Sequence, residues 1–89
     1  VKATKSGVVI FSEWTVETGF VVILKHQYNL ISVYKHNNAL LKKQGDRVKK
    51  GQVIARLGNT GTLTNGAHLH FELWSDGYPV NPKDYINFN

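Results

Sequence analysis

The sequence predicts an all-β fold, a small sandwich or barrel of short antiparallel strands. Short runs of β-branched and aromatic residues recur along the chain, and glycine and asparagine separate them. No stretch carries the long 3.6-residue periodicity of an amphipathic helix. Eighty-nine residues make one domain, taken as residues 1–89. At 42% hydrophobic and 19% charged the composition is globular, which argues against disorder. A chain of this size buries a modest core.

The elements follow in order. Gly7 to Trp14 carries Val8, Val9, Ile10 and Phe11 and reads as a strand. Gly19 to His26 carries Phe20, Val21, Val22, Ile23 and Leu24 and reads as a strand buried on both faces. Leu30 to His36 alternates and reads as its hairpin partner, joined through Gln27, Tyr28 and Asn29. Asn37 to Gln44 has room for one helical turn. Gly45 to Gly51 is a glycine-bounded turn anchored by Val48, and Gln52 to Leu57 is a further strand. Gly58 to Gly66 is a loop of residues that tolerate positive φ. His68 to Trp74 is a strong strand, Ser75-Asp76-Gly77 a turn, and Asn81-Pro82 opens the C-terminal segment.

The chemistry concentrates in His68-Leu69-His70-Phe71-Glu72. Side chains alternate across a strand, so His68, His70, Glu72 and Trp74 share one face and Leu69, Phe71 and Leu73 face the core. Two imidazoles about 6–7 Å apart along a strand can serve one small site. One can ligate a metal while the other contacts metal-bound water. His36 closes the preceding alternating strand, on the face of Ser32 and Tyr34, at a position suited to a cleft. His26 has no second ligand beside it and reads as structural. Glu72 reads as a solvated strand residue first and as an orienter of a histidine second.

Taken together these pieces resemble a known family. Tyr34-x-His36, Gly45-Asp46-x-Val48-x-x-Gly51-Gln52-x-Ile54, Gly58-x-Thr60-Gly61, His68-Leu69-His70-Phe71-Glu72 and Val80-Asn81-Pro82 stand in the order and spacing of the lysostaphin/LytM-type zinc metallopeptidases. That resemblance implies the duplicated hybrid motif fold and a barrel-sandwich-like antiparallel domain. It implies hydrolysis of peptide bonds in the stems or cross-bridges of bacterial peptidoglycan, in the cell envelope. It makes His70 a zinc ligand and His36 and His68 catalytic histidines. The family takes its other two protein ligands from a His-x-x-x-Asp motif, which these 89 residues do not contain. Three protein ligands are usual for a catalytic zinc. The expectation is therefore that this stretch alone holds zinc weakly and hydrolyses nothing. It reads as a piece of a longer protein, since it opens on Val1 and contains no methionine. A degenerate relative that binds peptidoglycan or activates another wall hydrolase is the alternative. A biotinyl or lipoyl carrier shares the Val48-x-x-Gly51-Gln52-x-Ile54 pattern but lacks a lysine at a hairpin tip here.

The net charge of +5 favours anionic partners, against an equally good reading as a solvated lysine surface. The densest basic stretch, Lys42 to Lys50, is punctuated by glycine and reads as a turn, so no nucleic acid is expected. No cysteine is present, so neither a disulfide nor a thiolate ligand exists. No apolar run approaches the ~20 residues of a membrane-spanning helix.

Overall fold

The computed structural model describes residues 1–58 and 69–85. Among the described residues eight strands follow one another: β1 (Gly7–Thr15), β2 (Gly19–Lys25), β3 (Leu30–Asn37), β4 (Ala39–Leu40), β5 (Arg47–Val48), β6 (Ala55–Arg56), β7 (His70–Ser75) and β8 (Tyr78–Val80). A short 3-10 turn, Pro82–Asp84, follows, capped by the Asn81 side chain. Six strands form one antiparallel sheet in the order β5-β1-β2-β3-β7-β8. β4 and β6 form a second, two-stranded sheet. The predicted all-β fold is thus the observed one.

The hairpins form where the sequence places them. Tyr28 and Asn29 (φ 61 and 56) turn β2 into β3, and Asp76 and Gly77 (φ 51 and 83) turn β7 into β8. Two left-handed residues in a row match the twist of the flanking strands. Phe11 pairs with Ile23 after a register shift from Val9↔Leu24, a bulge at Ile10 that bends β1. The core lies between the two sheets. Val9, Val22, Leu24, Tyr34 and Val48 of the large sheet meet Ile54 and Ala55, with Ala3 beside them. Tyr34 is the largest fully buried side chain, and its hydroxyl is bonded to Thr4 N (3.1 Å) and Thr4 Oγ1 (2.9 Å). A second cluster joins Leu30 and Leu73 to Phe71 and Val80.

Three expectations need correction. Asn37 to Gln44 makes no helical turn: Ala39 and Leu40 pair with Arg56 and Ala55, and Leu41 N donates to Ile54 O at 3.0 Å. The backbone there finds its partners across the sheet, and three apolar residues are too few to hold a helix against that. Regular pairing over Gln52 to Leu57 shrinks to Ala55–Arg56, with an isolated bridge from Lys2 to Val53. Leu69 precedes β7 and is exposed, while Phe71 and Leu73 do face inward.

Candidate active site

The end of β3 and the start of β7 lie side by side, with Lys35 directly opposite His70. A strict pleat would put His36 on the face of Ser32 and Tyr34, and His70 on the other face with Lys35. The pleat breaks at His36, whose φ is +60. His36 and His70 rings then meet edge to face, with centroids 5.6 Å apart and planes at 71°. His36 is buried, whereas His70 is exposed.

A left-handed backbone is uncommon outside glycine and persists only when its surroundings fix it. Two contacts do so here. The His36 N–H donates to Thr18 O at 2.7 Å, so the β1–β2 turn holds it from one side. Asn37 Nδ2 donates to Tyr34 O at 2.9 Å and to Phe20 O at 3.0 Å, clamping the bend from within. Asparagine directly after a strand-end histidine is the signal for this clamp in the sequence.

Glu72 is the organising carboxylate. Its Oε2 accepts from Lys35 Nζ at 2.7 Å and lies 3.0 Å from His70 Nε2, and its Oε1 accepts from Trp74 Nε1 at 3.1 Å. Burial works to raise the Glu72 pKa; hydrogen bonds from Lys35, Trp74 and His70, with the Lys35 charge, outweigh it and hold the carboxyl below its ordinary value. Glu72 is therefore an orienter of His70 rather than a solvated strand residue. Strand alternation, which puts residues 70, 72 and 74 on one face, was the clue; the pairing of Lys35 across from His70 was not visible without the register.

His26 behaves as expected. Its Nδ1 lies 2.7 Å from Ser6 O and its Nε2 2.7 Å from Ser32 Oγ, so both ring nitrogens are engaged in the fold. His68 lies outside the described residues, as does most of the Gly58 to Gly66 loop.

Among the described residues, His70 has the chemistry to offer a zinc ion one ligand. With Nε2–H donated to Glu72, the His70 Nδ1 carries the ring's lone pair, the arrangement that fixes the tautomer of a metal-bound histidine. Among the described residues, no group of three His, Cys, Asp or Glu side chains comes together to hold a metal.

The family model described as Peptidase family M23 matches residues 1–82. The chain belongs to this family. Among M23 relatives it is similar to the murein hydrolase activator NlpD of Escherichia coli, at 41% identity over 68 residues, 76% of this chain and 17% of that protein. Among solved structures it resembles the catalytic domain of the antimicrobial peptidase lysostaphin from Staphylococcus simulans. There the TM-score is 0.85 at 30% identity, over 96% of this chain and 68% of that one. A zinc-containing peptidase from Vibrio cholerae superposes with a TM-score of 0.81 at 36% identity, over 86% of this chain and 24% of that one. The chain spans 22%, 21% and 31% of the length of three curated relatives it matches. Among the described residues, no helix is long and apolar enough to cross a membrane.

Proposed function

We propose that this M23 domain is the catalytic module of a zinc-dependent endopeptidase that hydrolyses peptide bonds of bacterial peptidoglycan in the cell envelope. The observation that carries the reading is the His36–His70 pair, brought to 5.6 Å from two strands, with His70 oriented by Glu72. Likeness to lysostaphin and to a zinc-containing peptidase supports it. His70 would offer Nδ1 to the zinc, and His36 and His68 would handle protons. A bound zinc polarises the scissile carbonyl and acidifies water. His36 has the geometry of a positioned acid-base group: its backbone is fixed on two sides, and an imidazole can accept and return a proton near neutral pH. The exposed side of His70 gives an extended peptide access from solvent.

The two further zinc ligands are assigned to residues outside these 89. The test is hydrolysis of purified peptidoglycan by the full-length protein supplied with zinc, read by mass spectrometry of the released peptides. New peptide termini are expected, and they should vanish with His70→Ala. A zinc-loaded protein that leaves every peptide bond intact sinks the reading.

A second reading has its own support. The 41% identical relative is named a murein hydrolase activator, and the described residues alone assemble no three-ligand metal group. On that reading the protein stimulates a separate hydrolase without cleaving peptide bonds. Adding it to a peptidoglycan digest by a separate murein hydrolase separates the two: faster turnover of that hydrolase with no additional cleaved peptide bonds selects the activator.

A further inference from the structure

The end of the large sheet opposite His36 and His70 takes no part in the site above. There the start of β1, the end of β2, the start of β3 and the 47–52 turn surround an open groove of ≈ 1760 Å³. Lys5, Lys25, Arg47, Lys49 and Lys50 all line it. Asp76 lines it too, but its carboxylate accepts from Asn29 Nδ2 at 3.1 Å. Among the described residues, none of these five cations makes an ion pair; the pairs that form there join Glu72 to Lys35 and to His70.

None of the other described carboxylates lines the groove. Glu13 in β1 and Glu17 in the β1–β2 turn lie at the His36–His70 end, and Asp46 accepts from Lys43 N at 2.9 Å. Like charges gathered in a concavity without internal partners create a positive potential that concentrates anions.

We propose that this groove binds a linear, phosphate-bearing polyanion and so anchors the domain with its His36–His70 end free. Three features select that occupant. Small-ligand sites measure about 300–1,000 Å³, so a single small anion would leave this groove largely empty. The five cations come from three separate chain segments, which suits a ligand that repeats its charge along its length. Five of the nineteen described lining residues are cations and the single acid among them is bonded to Asn29, and such an excess of positive charge is what neutralises a phosphate backbone. The proposal stands independently of hydrolysis, because it concerns binding at the other end of the sheet.

The test uses the full chain and long-chain inorganic polyphosphate, with binding measured by calorimetry at about 50 and 200 mM salt. One variant replaces Lys5, Lys25, Arg47, Lys49 and Lys50 by Gln. A control replaces Lys2, Lys42, Lys43, Arg56 and Lys83 by Gln and removes the same charge. Binding should weaken with salt, fall by at least about tenfold in the groove variant, and change by no more than about twofold in the control. Equal losses in both variants, or no binding by the wild type, would overturn the proposal. Equally tight binding of polyglutamate would also overturn it, in favour of an acidic protein partner. Should the groove variant fail to fold, amide shifts of the wild type decide. Perturbation by polyphosphate confined to Ser6, Gly7, Lys50 and Gly51 supports the groove; perturbation centred on the β1–β2 turn counts against it.

Discussion

Two histidines mark opposite ends of the same sheet, and they differ in what their ring nitrogens do. His26 spends both on the fold, one on Ser6 O and the other on Ser32 Oγ, each at 2.7 Å. His70 spends Nε2 on Glu72, and the proposed function gives its Nδ1 to zinc. Exposure follows the same division: His26 is 7% exposed, while the His70 side chain is 44% exposed. The residue type is the same at the two ends, although His26 follows β2 and His70 opens β7. What separates a structural imidazole from a chemical one is how many of its nitrogens the fold consumes.

The comparison breaks most visibly at the His70 end. In the zinc-loaded full-length protein, His70→Ala should abolish peptidoglycan hydrolysis and most bound zinc, since a lost ligand removes the site itself. Metal analysis beside the digest checks both, and retained zinc would show that His70 is not a ligand. At the other end the largest effect is on folding. A Cβ at Gly7 would lie 2.5 Å from Lys25 O and 2.8 Å from His26 Nδ1. Gly7→Ala should therefore cost about 2–4 kcal/mol in urea unfolding, and a loss below about 0.5 kcal/mol would show that β1 can shift.

Smaller changes sharpen the contrast. Glu72→Gln keeps the shape but weakens the hold on His70, so zinc affinity should fall about 10–100-fold with the fold intact. Titration against a zinc chelator reads it, and unchanged affinity would make Glu72 a surface ion-pair partner only. Asn37→Ala removes two hydrogen bonds to buried carbonyls and should cost about 1–3 kcal/mol. Because the same bonds clamp the bend at His36, turnover should fall with little change in bound zinc. A variant that loses stability but keeps full turnover would separate the clamp from the site.

The large strands, the turns and Val48 as an anchor were legible in the residues, because β-branched runs and positive-φ residues act locally. The opposed faces of residues 70, 72 and 74 against 71 and 73 followed from the period of two. Asn37 to Gln44 was misread because its strand exists only through pairing with Ala55 and Arg56, which no local pattern encodes. The break of alternation at His36 was likewise hidden. It depends on Thr18 O arriving from another hairpin, and an unbroken pleat would have turned His36 away from His70. The charged groove was invisible as a site because Lys5, Lys25 and the 47–50 basic residues are distant in sequence and meet only in the folded sheet.

The smallest predicted effect is the one that reads the His26 end by itself. Burial lowers the His26 pKa from its ordinary 6.5, the bond to Ser6 O opposes this, and the Lys5 charge adds to the lowering. The folded state therefore binds fewer protons than the unfolded state once pH drops below 6.5. Stability is fully present above that pH, declines as pH falls through the folded value, and levels off below it. Urea midpoints taken in steps from pH 7.5 to 5 should fall for the wild type. In His26→Gln the midpoint should start lower, since Gln cannot reproduce both bonds, yet stay flatter across the same window. A variant that keeps the wild-type slope would move the titrating group away from His26, and with it the claim that this end of the sheet holds its imidazole neutral for packing.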